Sequence, residues 1–307
     1  MKEKINFLYC FDTNYNTQAF TSMISLLNNT SRKINIYVIH NEENFKSKVP
    51  TQILKHKHLV LFKSYKFKNY EYDFPNVKNV HISVATYFRL FIENYLPKKE
   101  KFFVFLDPDV VCIKDPIEEI DNTIKNMNDT EFTISANTEH NFGVERLNVS
   151  GRYFNAGVMV IDFSKWQRNN YQEKLIKKLI ELKNDIVEWD QDVINSMLNG
   201  SYLELNEVLN FKAATKVDKA YKSKILFIHY MGSHKPWLTS GIFQKDSNYY
   251  HENFRKIAKK NFHIEHKWRV RSMIDFFVAI LTLRIFRINK TFVFIFEFVK
   301  SFIKNKN

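Results

Sequence analysis

Two carboxylates one residue apart close an apolar run in Lys101-Phe-Phe-Val-Phe-Leu-Asp107-Pro-Asp109-Val-Val-Cys112. Side chains at i and i+2 of an extended chain share a face, and Pro108 biases Asp107 towards that extended state. Both acids can then converge on one hard cation. Taken alone, the tripeptide reads as an Asp-Pro turn that ends a strand, because both residue types favour turns for local reasons. Other polar residues stand where apolar runs stop: Asp12, Asn155 and His229. Singly they read as a helix cap, a turn former and a strand-end histidine. Together with the paired acids they form a metal-centred cleft.

The elements that must position these groups alternate along the chain. Residues 5–11 form a first strand that ends at Asp12, and Phe20, Met23, Ile24 and Leu27 fall at helical spacing within 15–27. A strand over 33–39, a helix over 45–57 and a strand over 59–62 complete a βαβαβ pattern, and the apolar run before Asp107 reads as a buried parallel strand. In such sheets, ligands bind beyond the carboxyl ends of the strands. Residues 83–96 carry an apolar helical stripe between a Ser83 cap and a Pro97 stop. Arg89 lies off that stripe and by itself reads as a solvated cation. A turn at Lys114-Asp115-Pro116, an acidic helix and a strand over 131–136 follow, and 137–152 reads as a loop over the site. Further on come a strand over 153–161, a helix over 165–182, a second helix opened by Glu188-Trp-Asp-Gln-Asp192, and a strand over 224–228 ending at His229.

The length of 307 residues suits one large domain, 1–250, with a basic, Phe-rich region over 251–307. No glycine precedes Gly143, so the first half has no glycine-rich phosphate loop, and a bound diphosphate needs another source of positive charge. Two scattered cysteines suggest neither a disulfide framework nor a zinc site, and the short N-terminal apolar run is no signal peptide. A cytoplasmic setting is expected. Of the net charge of +13, ten units lie in residues 255–307, where 13 Lys/Arg meet three Asp/Glu. The main domain therefore has no nucleic-acid footprint. In the tail, basic residues interrupt apolar runs too short to span a bilayer, which suits a helix lying at the cytoplasmic face of a membrane. A helical appendage packed on the main domain, or a dimer interface, is the competing reading.

Six motifs in order carry a resemblance: Phe11-Asp12-Thr-Asn-Tyr15, His81-Ile-Ser-Val-Ala-Thr-Tyr-Phe-Arg-Leu90, Phe105-Leu-Asp-Pro-Asp-Val-Val111, Phe154-Asn-Ala-Gly-Val-Met-Val-Ile161, Trp189-Asp-Gln-Asp192 and His229-Tyr-Met-Gly-Ser-His-Lys-Pro-Trp237. Over about residues 4–240 the chain resembles glycosyltransferase family 8, and within it the bacterial lipopolysaccharide glucosyl- and galactosyltransferases. The resemblance implies a GT-A fold, an α/β nucleotide-sugar-binding domain of Rossmann type. It also implies UDP-glucose or UDP-galactose as donor, a glycan acceptor that can be lipid-linked, Mn²⁺ or Mg²⁺, and retention of configuration. By motif match, Asp107, Asp109 and His229 are the metal ligands. Asp12, Asn14 and Tyr15 lie against the uridine, Arg89 lies near the donor, and Gly232 and Lys235 meet the diphosphate. Asn155, Asp190 and Gln191 surround the transferred sugar.

A mixed oxygen and nitrogen donor set suits Mn²⁺ better than Ca²⁺ and tolerates Mg²⁺. Where the family often places a carboxylate near the acceptor, this chain has Asn137, with Glu139 two residues later. Neither double displacement nor front-face substitution is selected by the sequence. A metal-dependent nucleotidyltransferase is the alternative enzyme, although the first βα turn is acidic and aromatic where a triphosphate loop would be basic or glycine-rich. A basic membrane- or nucleic-acid-binding module is the non-enzymatic alternative.

Overall fold

The computed structural model describes residues 4–68, 74–75, 83–139, 143–183 and 185–304. A seven-stranded sheet forms its centre, built from β1 (Ile5–Phe11), β2 (Ile34–His40), β3 (Leu59–Lys66), β4 (Phe102–Leu106), β6 (Ile134–Thr138), β7 (Phe154–Asp162) and β8 (Leu203–Glu204). The strand order is β3-β2-β1-β4-β7-β6-β8. A second sheet of three strands places β10 (Phe227–His229) between β5 (Val110–Cys112) and β9 (Phe211–Lys212).

Continuous apolar strands arise because both sheet faces are covered. Leu8 and Cys10 of β1, with Phe103 and Phe105 of β4, enter one core, whereas Phe7, Tyr9, Val104 and Leu106 enter the other. Helix α1 (Asn16–Asn29) covers the second face through Met23, Ile24 and Leu27. On the first face lies a 3-10 helix, Val84–Asn94, broken at Phe91 and capped by the Ser83 side chain as expected. Farther along are α2 (Ile117–Asn128), α3 (Tyr171–Leu182), α4 (Trp189–Leu198) and α5 (Ser247–Ile257), and then α6 (Arg269–Leu281) and α7 (Thr291–Lys304). Helix α5 runs across residue 250 and packs on α1.

Several elements differ from the periodicity reading. The helix expected over 45–57 is a 3-10 turn, Phe45–Lys48, and a short helix, Thr51–Leu54, because Pro50 between them cannot continue a helix. The helix expected over 165–182 divides into Phe163–Arg168 and α3 at Asn170, whose backbone is left-handed (φ 52°). The parallel alternation ends after β4: β7 runs antiparallel to both β4 and β6. Within the expected loop a short helix, Val144–Leu147, is formed, while 140–142 lie outside the described residues. The first two residues of the motif that carries Arg89, 81–82, also lie outside them.

Helices α6 and α7 have two unlike faces. Phe276, Ala279, Phe294 and Phe298 form a core of their own with Ile242, Phe243 and Phe262. Phe277, Leu281, Phe292 and Phe296 remain 54%, 83%, 82% and 66% exposed. No described helix is long and apolar enough to cross a membrane.

Candidate active site

Strand β4 alternates its side chains between the two cores, so the residue after Leu106 continues the Phe105 face. That places Asp107 towards Arg89, on the 3-10 helix covering the same face. Asp107 and Asp109 approach each other through a turn, closed by Val110 N–H on Asp107 O at 3.1 Å, and not through an extended segment. The turn reading and the metal reading of this tripeptide therefore both hold geometrically.

Strand β10 pairs antiparallel with β5 and sets His229 opposite Val110. His229 Nε2 consequently lies 3.3 Å from Asp109 Oδ1 and 4.0 Å from Asp107 Oδ2. One donor atom from each of the three residues falls within 4.8 Å of the others, a group that could hold a metal ion. The opposite edge of the ring is tied down: Nδ1 lies 2.9 Å from Asn210 Oδ1, and Asn210 Nδ2 donates to Asn155 Oδ1 at 3.1 Å. With Nδ1–H donating to that amide oxygen, Nε2 keeps its lone pair facing the carboxylates, as a metal-binding imidazole requires. Gly157 makes room for the ring, since a Cβ there would stand 2.1 Å from His229 Cε1. The residues present thus fit a divalent cation in donor type, convergence and orientation.

Arg89 is not the solvated cation that it would be on a lone helix. It is buried, at 7% exposure, and lies between two acids, 3.0 Å from Asp107 Oδ1 and 2.6 Å from Asp190 Oδ2. Its guanidinium also donates to Ala156 O at 2.5 Å and rests 4.2 Å from the Phe105 ring centre. Burial raises Asp190 to about 6, with Arg89 pulling the other way. Burial likewise raises Asp107, which Arg89 offsets in part while Asp109 adds to it. Burial would also raise Asp109, but the Lys235 ammonium in contact with it outweighs burial and holds that carboxyl well below its ordinary range. Lys235 contacts Asp109 Oδ2 directly and donates to Tyr230 O at 2.7 Å.

The other expected residues are distributed as follows. Asp12 ends β1 and accepts from Asn14 N at 2.9 Å and Asn14 Nδ2 at 3.3 Å, so its carboxylate organises Asn14. Tyr15 and Lys235 line both a cleft of about 150 Å³ at the acid pair and a larger cavity beside it. Gly232, with φ +77°, adopts a backbone that L side chains rarely accept, and a Cβ there would meet nothing within 4 Å. Asn155 Oδ1 accepts from Gly157 N, and Gln191 Oε1 accepts from Ala156 N at 2.9 Å. Gln191 Nε2 donates to Tyr153 Oη at 3.1 Å. Asn137 donates to Glu204 and Leu205 O, while Glu139 Oε2 accepts from Asn155 Nδ2 at 3.3 Å.

Asn210, Gly157 and Thr86 were not singled out by sequence reasoning. Gly157 and Thr86 stand inside quoted motifs, and Thr86 Oγ1 donates to Asp190 Oδ1. Asn210 has no local signal, because its partners are 19 and 55 residues away.

The sequence matches glycosyl transferase family 8 over residues 6–241. The chain belongs to this family. It is similar to the lipopolysaccharide 1,2-glucosyltransferase of Escherichia coli K12, at 30% identity over 84% of this chain and 78% of that protein. It is similar also to general stress protein A of Bacillus subtilis 168, at 25% identity over 81% of this chain and 93% of that protein. Among solved structures, the galactosyltransferase LgtC, in complex with donor and acceptor sugar analogs, superposes with a TM-score of 0.67. Identity is 20%, covering 87% of this chain and 100% of LgtC. The bifunctional glycosyltransferase WbbM superposes with a TM-score of 0.61 at 18% identity, covering 90% of this chain and 52% of WbbM. At such identity the shared property is the GT-A fold. This family 8 glycosyltransferase is thus a sugar-transferring enzyme with a triad able to hold a metal where β4 of the central sheet meets β5 and β10 of the second.

Proposed function

We propose that the enzyme moves a hexose, glucose or galactose, from a UDP-sugar to a glycan acceptor with retention of configuration. The acceptor class suggested by the related lipopolysaccharide glycosyltransferases is a lipopolysaccharide, a lipooligosaccharide or another cell-surface glycan. The observation that carries the reading is the convergence of Asp107, Asp109 and His229 beside the Arg89–Asp190 pair and Lys235.

In this reading Asp107, Asp109 and His229 hold Mn²⁺ or Mg²⁺. The cation supplies Lewis-acid stabilisation to a diphosphate leaving group. Lys235 adds a positive charge beside Asp109, and the open backbone at Gly232 lets a phosphate approach closely. Asn14, held by Asp12, and Tyr15 form the uridine side. Asn155, Asp190 and Gln191 form the sugar side, with Arg89 orienting Asp190. Both oxygens of Asp190 are engaged, one by Thr86 and one by Arg89, which suits a positioning carboxylate better than a free nucleophile. Gln191 is likewise tied at both ends. This favours front-face substitution over double displacement.

The exposed apolar faces of α6 and α7, with Arg284 and Arg287 between them, support a surface helix pair at anionic lipid on the cytoplasmic side. The catalytic part, 1–250, and the membrane-facing part, 251–307, then meet at α5. Nucleic acid is not among the partners in this reading, since ten of the thirteen net charges lie in residues 255–307.

A panel of UDP-sugars incubated with the enzyme and Mn²⁺, without acceptor, tests the core of this reading. Slow hydrolysis of UDP-glucose or UDP-galactose, abolished by EDTA, is expected. No hydrolysis and no UDP binding with Mn²⁺ present would overturn it.

A further inference from the structure

The side-chain amide of Gln191 is gripped at both ends, and one of the two grips comes from a residue outside the six motifs. Oε1 accepts from Ala156 N at 2.9 Å, and Nε2 donates to Tyr153 Oη at 3.1 Å. An amide can face two ways, and these contacts choose between them. The Ala156 N–H can only donate, so it must meet the amide oxygen. At the other end stands a hydroxyl, which can donate or accept, and its sense is decided by what else it touches.

Tyr153 Oη donates to Asp192 Oδ1 at 2.7 Å. Asp192 is 0% exposed and is surrounded by donors: Arg146 Nη2 reaches Oδ1 at 2.6 Å, and Val187 N and Glu188 N each reach Oδ2 at 2.8 Å. A carboxylate among four donors has only acceptance to offer, so the Tyr153 proton is committed to it. Burial first, and then the Asp192 charge, hold the phenol well above its ordinary value, which keeps that proton on the oxygen. Tyr153 therefore turns a lone pair towards Gln191, and only the Nε2–H end of the amide suits it. Both grips demand the same orientation.

The tyrosine ring is itself fixed. It is 2% exposed, and Gly143 lies so close that a Cβ there would stand 2.1 Å from Tyr153 Cε2. Arg146, on the short helix Val144–Leu147, also donates to Asp185 O at 2.7 Å. Residues 143–147, residues 185–188 and α4 are thus gathered at Asp192, next in the chain to Gln191. From the other side, Ala156 gives its N–H to Gln191 and its carbonyl to Arg89, the partner of Asp190. Among the described residues the Gln191 amide has no other partner. One N–H and one oxygen lone pair, each in a fixed place, are left for a bound molecule.

We propose that Tyr153 is a positioning residue for sugar transfer: its hydroxyl, committed to Asp192, sets the Gln191 amide so that a fixed N–H and a fixed oxygen lone pair meet the transferred sugar. Asp192 acts only through this hydroxyl. Without the hydroxyl nothing holds Nε2, and the broad terminal torsion of glutamine lets the amide swing. The inference rests on the reading of Gln191 as a sugar-side residue and adds the device that orients it.

Hydrolysis of UDP-glucose and UDP-galactose with Mn²⁺, and UDP affinity by calorimetry, are measured on full-chain variants that circular dichroism shows to be folded. Tyr153→Phe keeps the ring and removes the hydroxyl, so kcat should fall about tenfold, the effect of one hydrogen bond, with UDP affinity within about twofold. Asp192→Asn should lower kcat by a similar factor. Its amide oxygen would take the two backbone N–H groups, and its amide N–H would turn the Tyr153 proton towards Gln191. In the Tyr153→Phe background, Asp192→Asn should change kcat by no more than about twofold, since the group it acts through is gone. Additive losses would overturn the proposal, because Asp192 would then act on the sugar directly. Equal losses of kcat and UDP affinity in Tyr153→Phe would also overturn it, as a merely structural effect. A wild-type rate in Tyr153→Phe beside a slow Gln191→Ala would overturn it and leave the sugar-side reading standing, whereas a wild-type rate in Gln191→Ala would sink both. A readout without turnover is the side-chain amide of Gln191 in ¹⁵N NMR, assigned by its loss in Gln191→Ala. Its hydrogen-bonded proton should exchange about tenfold faster in Tyr153→Phe, and unchanged exchange would overturn the proposal whatever donor the enzyme uses.

Discussion

Around the acid pair, charge is concentrated and water is scarce; in the C-terminal helices, charge and large apolar side chains both face outward. Arg89 serves Asp107 and Asp190 at once with its side chain 8% exposed. Arg271, paired with Asp275 on α6, is 72% exposed. Away from water an ion pair is strong, and breaking it leaves a costly lone charge; in water a similar pair contributes little. The contrast teaches that the cleft is built to hold a geometry, whereas the tail is built to meet something else.

The strongest way to break this comparison is Arg89→Met. With buried Asp190 and part-buried Asp107 both left without their cation, the protein should lose about 3–5 kcal/mol of stability, measured by urea unfolding. Arg89→Lys should rescue it poorly, because an ammonium cannot serve two carboxylates and a carbonyl with the same fork. A loss under about 1 kcal/mol would place the pair in the same class as the surface bridges.

Next in size is Asp107→Ala or Asp109→Ala. Removal of either triad acid should reduce Mn²⁺-dependent donor hydrolysis by at least about 100-fold while circular dichroism shows a folded protein. Near-normal rates in EDTA-treated buffer would remove the metal from the mechanism.

Asn210→Ala sharpens the comparison from the layer behind the triad. Losing the partner of His229 Nδ1 should weaken Mn²⁺ binding by about 10–100-fold in calorimetry, and Gly157→Ala should act similarly by crowding the ring. His229→Ala should weaken Mn²⁺ and UDP together, since one cation would join both.

A pH profile probes the desolvation itself. With Asp190 raised to about 6, its carboxylate protonates as pH falls through that value, and donor hydrolysis should fall roughly tenfold per pH unit below it. The stability effect has the opposite sign. The native state holds this proton more tightly than the unfolded state, so the group's contribution is present below the ordinary carboxylate range and is lost as pH rises through about 6. Asp190→Asn should flatten both trends.

The smallest effect on the fold is expected in the tail. Phe277→Glu, Leu281→Glu and Phe296→Glu alter exposed positions, and each should change stability by no more than about 0.5 kcal/mol. Flotation with anionic vesicles should nevertheless fall, and wild-type binding should weaken as salt rises. Unchanged flotation would leave these faces to protein contacts.

Much of this was legible before any coordinates. The strand ending at Asp12, the Ser83 cap and the acid pair after β4 are written in neighbouring residues, through alternation, capping and turn chemistry. Helix continuity was legible only where no local breaker intervened, and Pro50 and Asn170 divided two expected helices. Taken alone Arg89 reads as a solvated cation, because helical spacing records which residues are apolar and not what stands above them; only the motif around it set it near the donor.

By itself the sequence determined which side chains end the strands and which motifs follow one another, because periods of two and near four are properties of adjacent residues. Tertiary structure decided which charges lose their water and which partners they find. Arg89 meets Asp107 across 18 residues, Thr86 meets Asp190 across 104, and Asp109 meets Lys235 across 126. It also turned β7 antiparallel and opened the large cavity between α1 and α6, because pairing and burial are settled between segments only when the chain is folded.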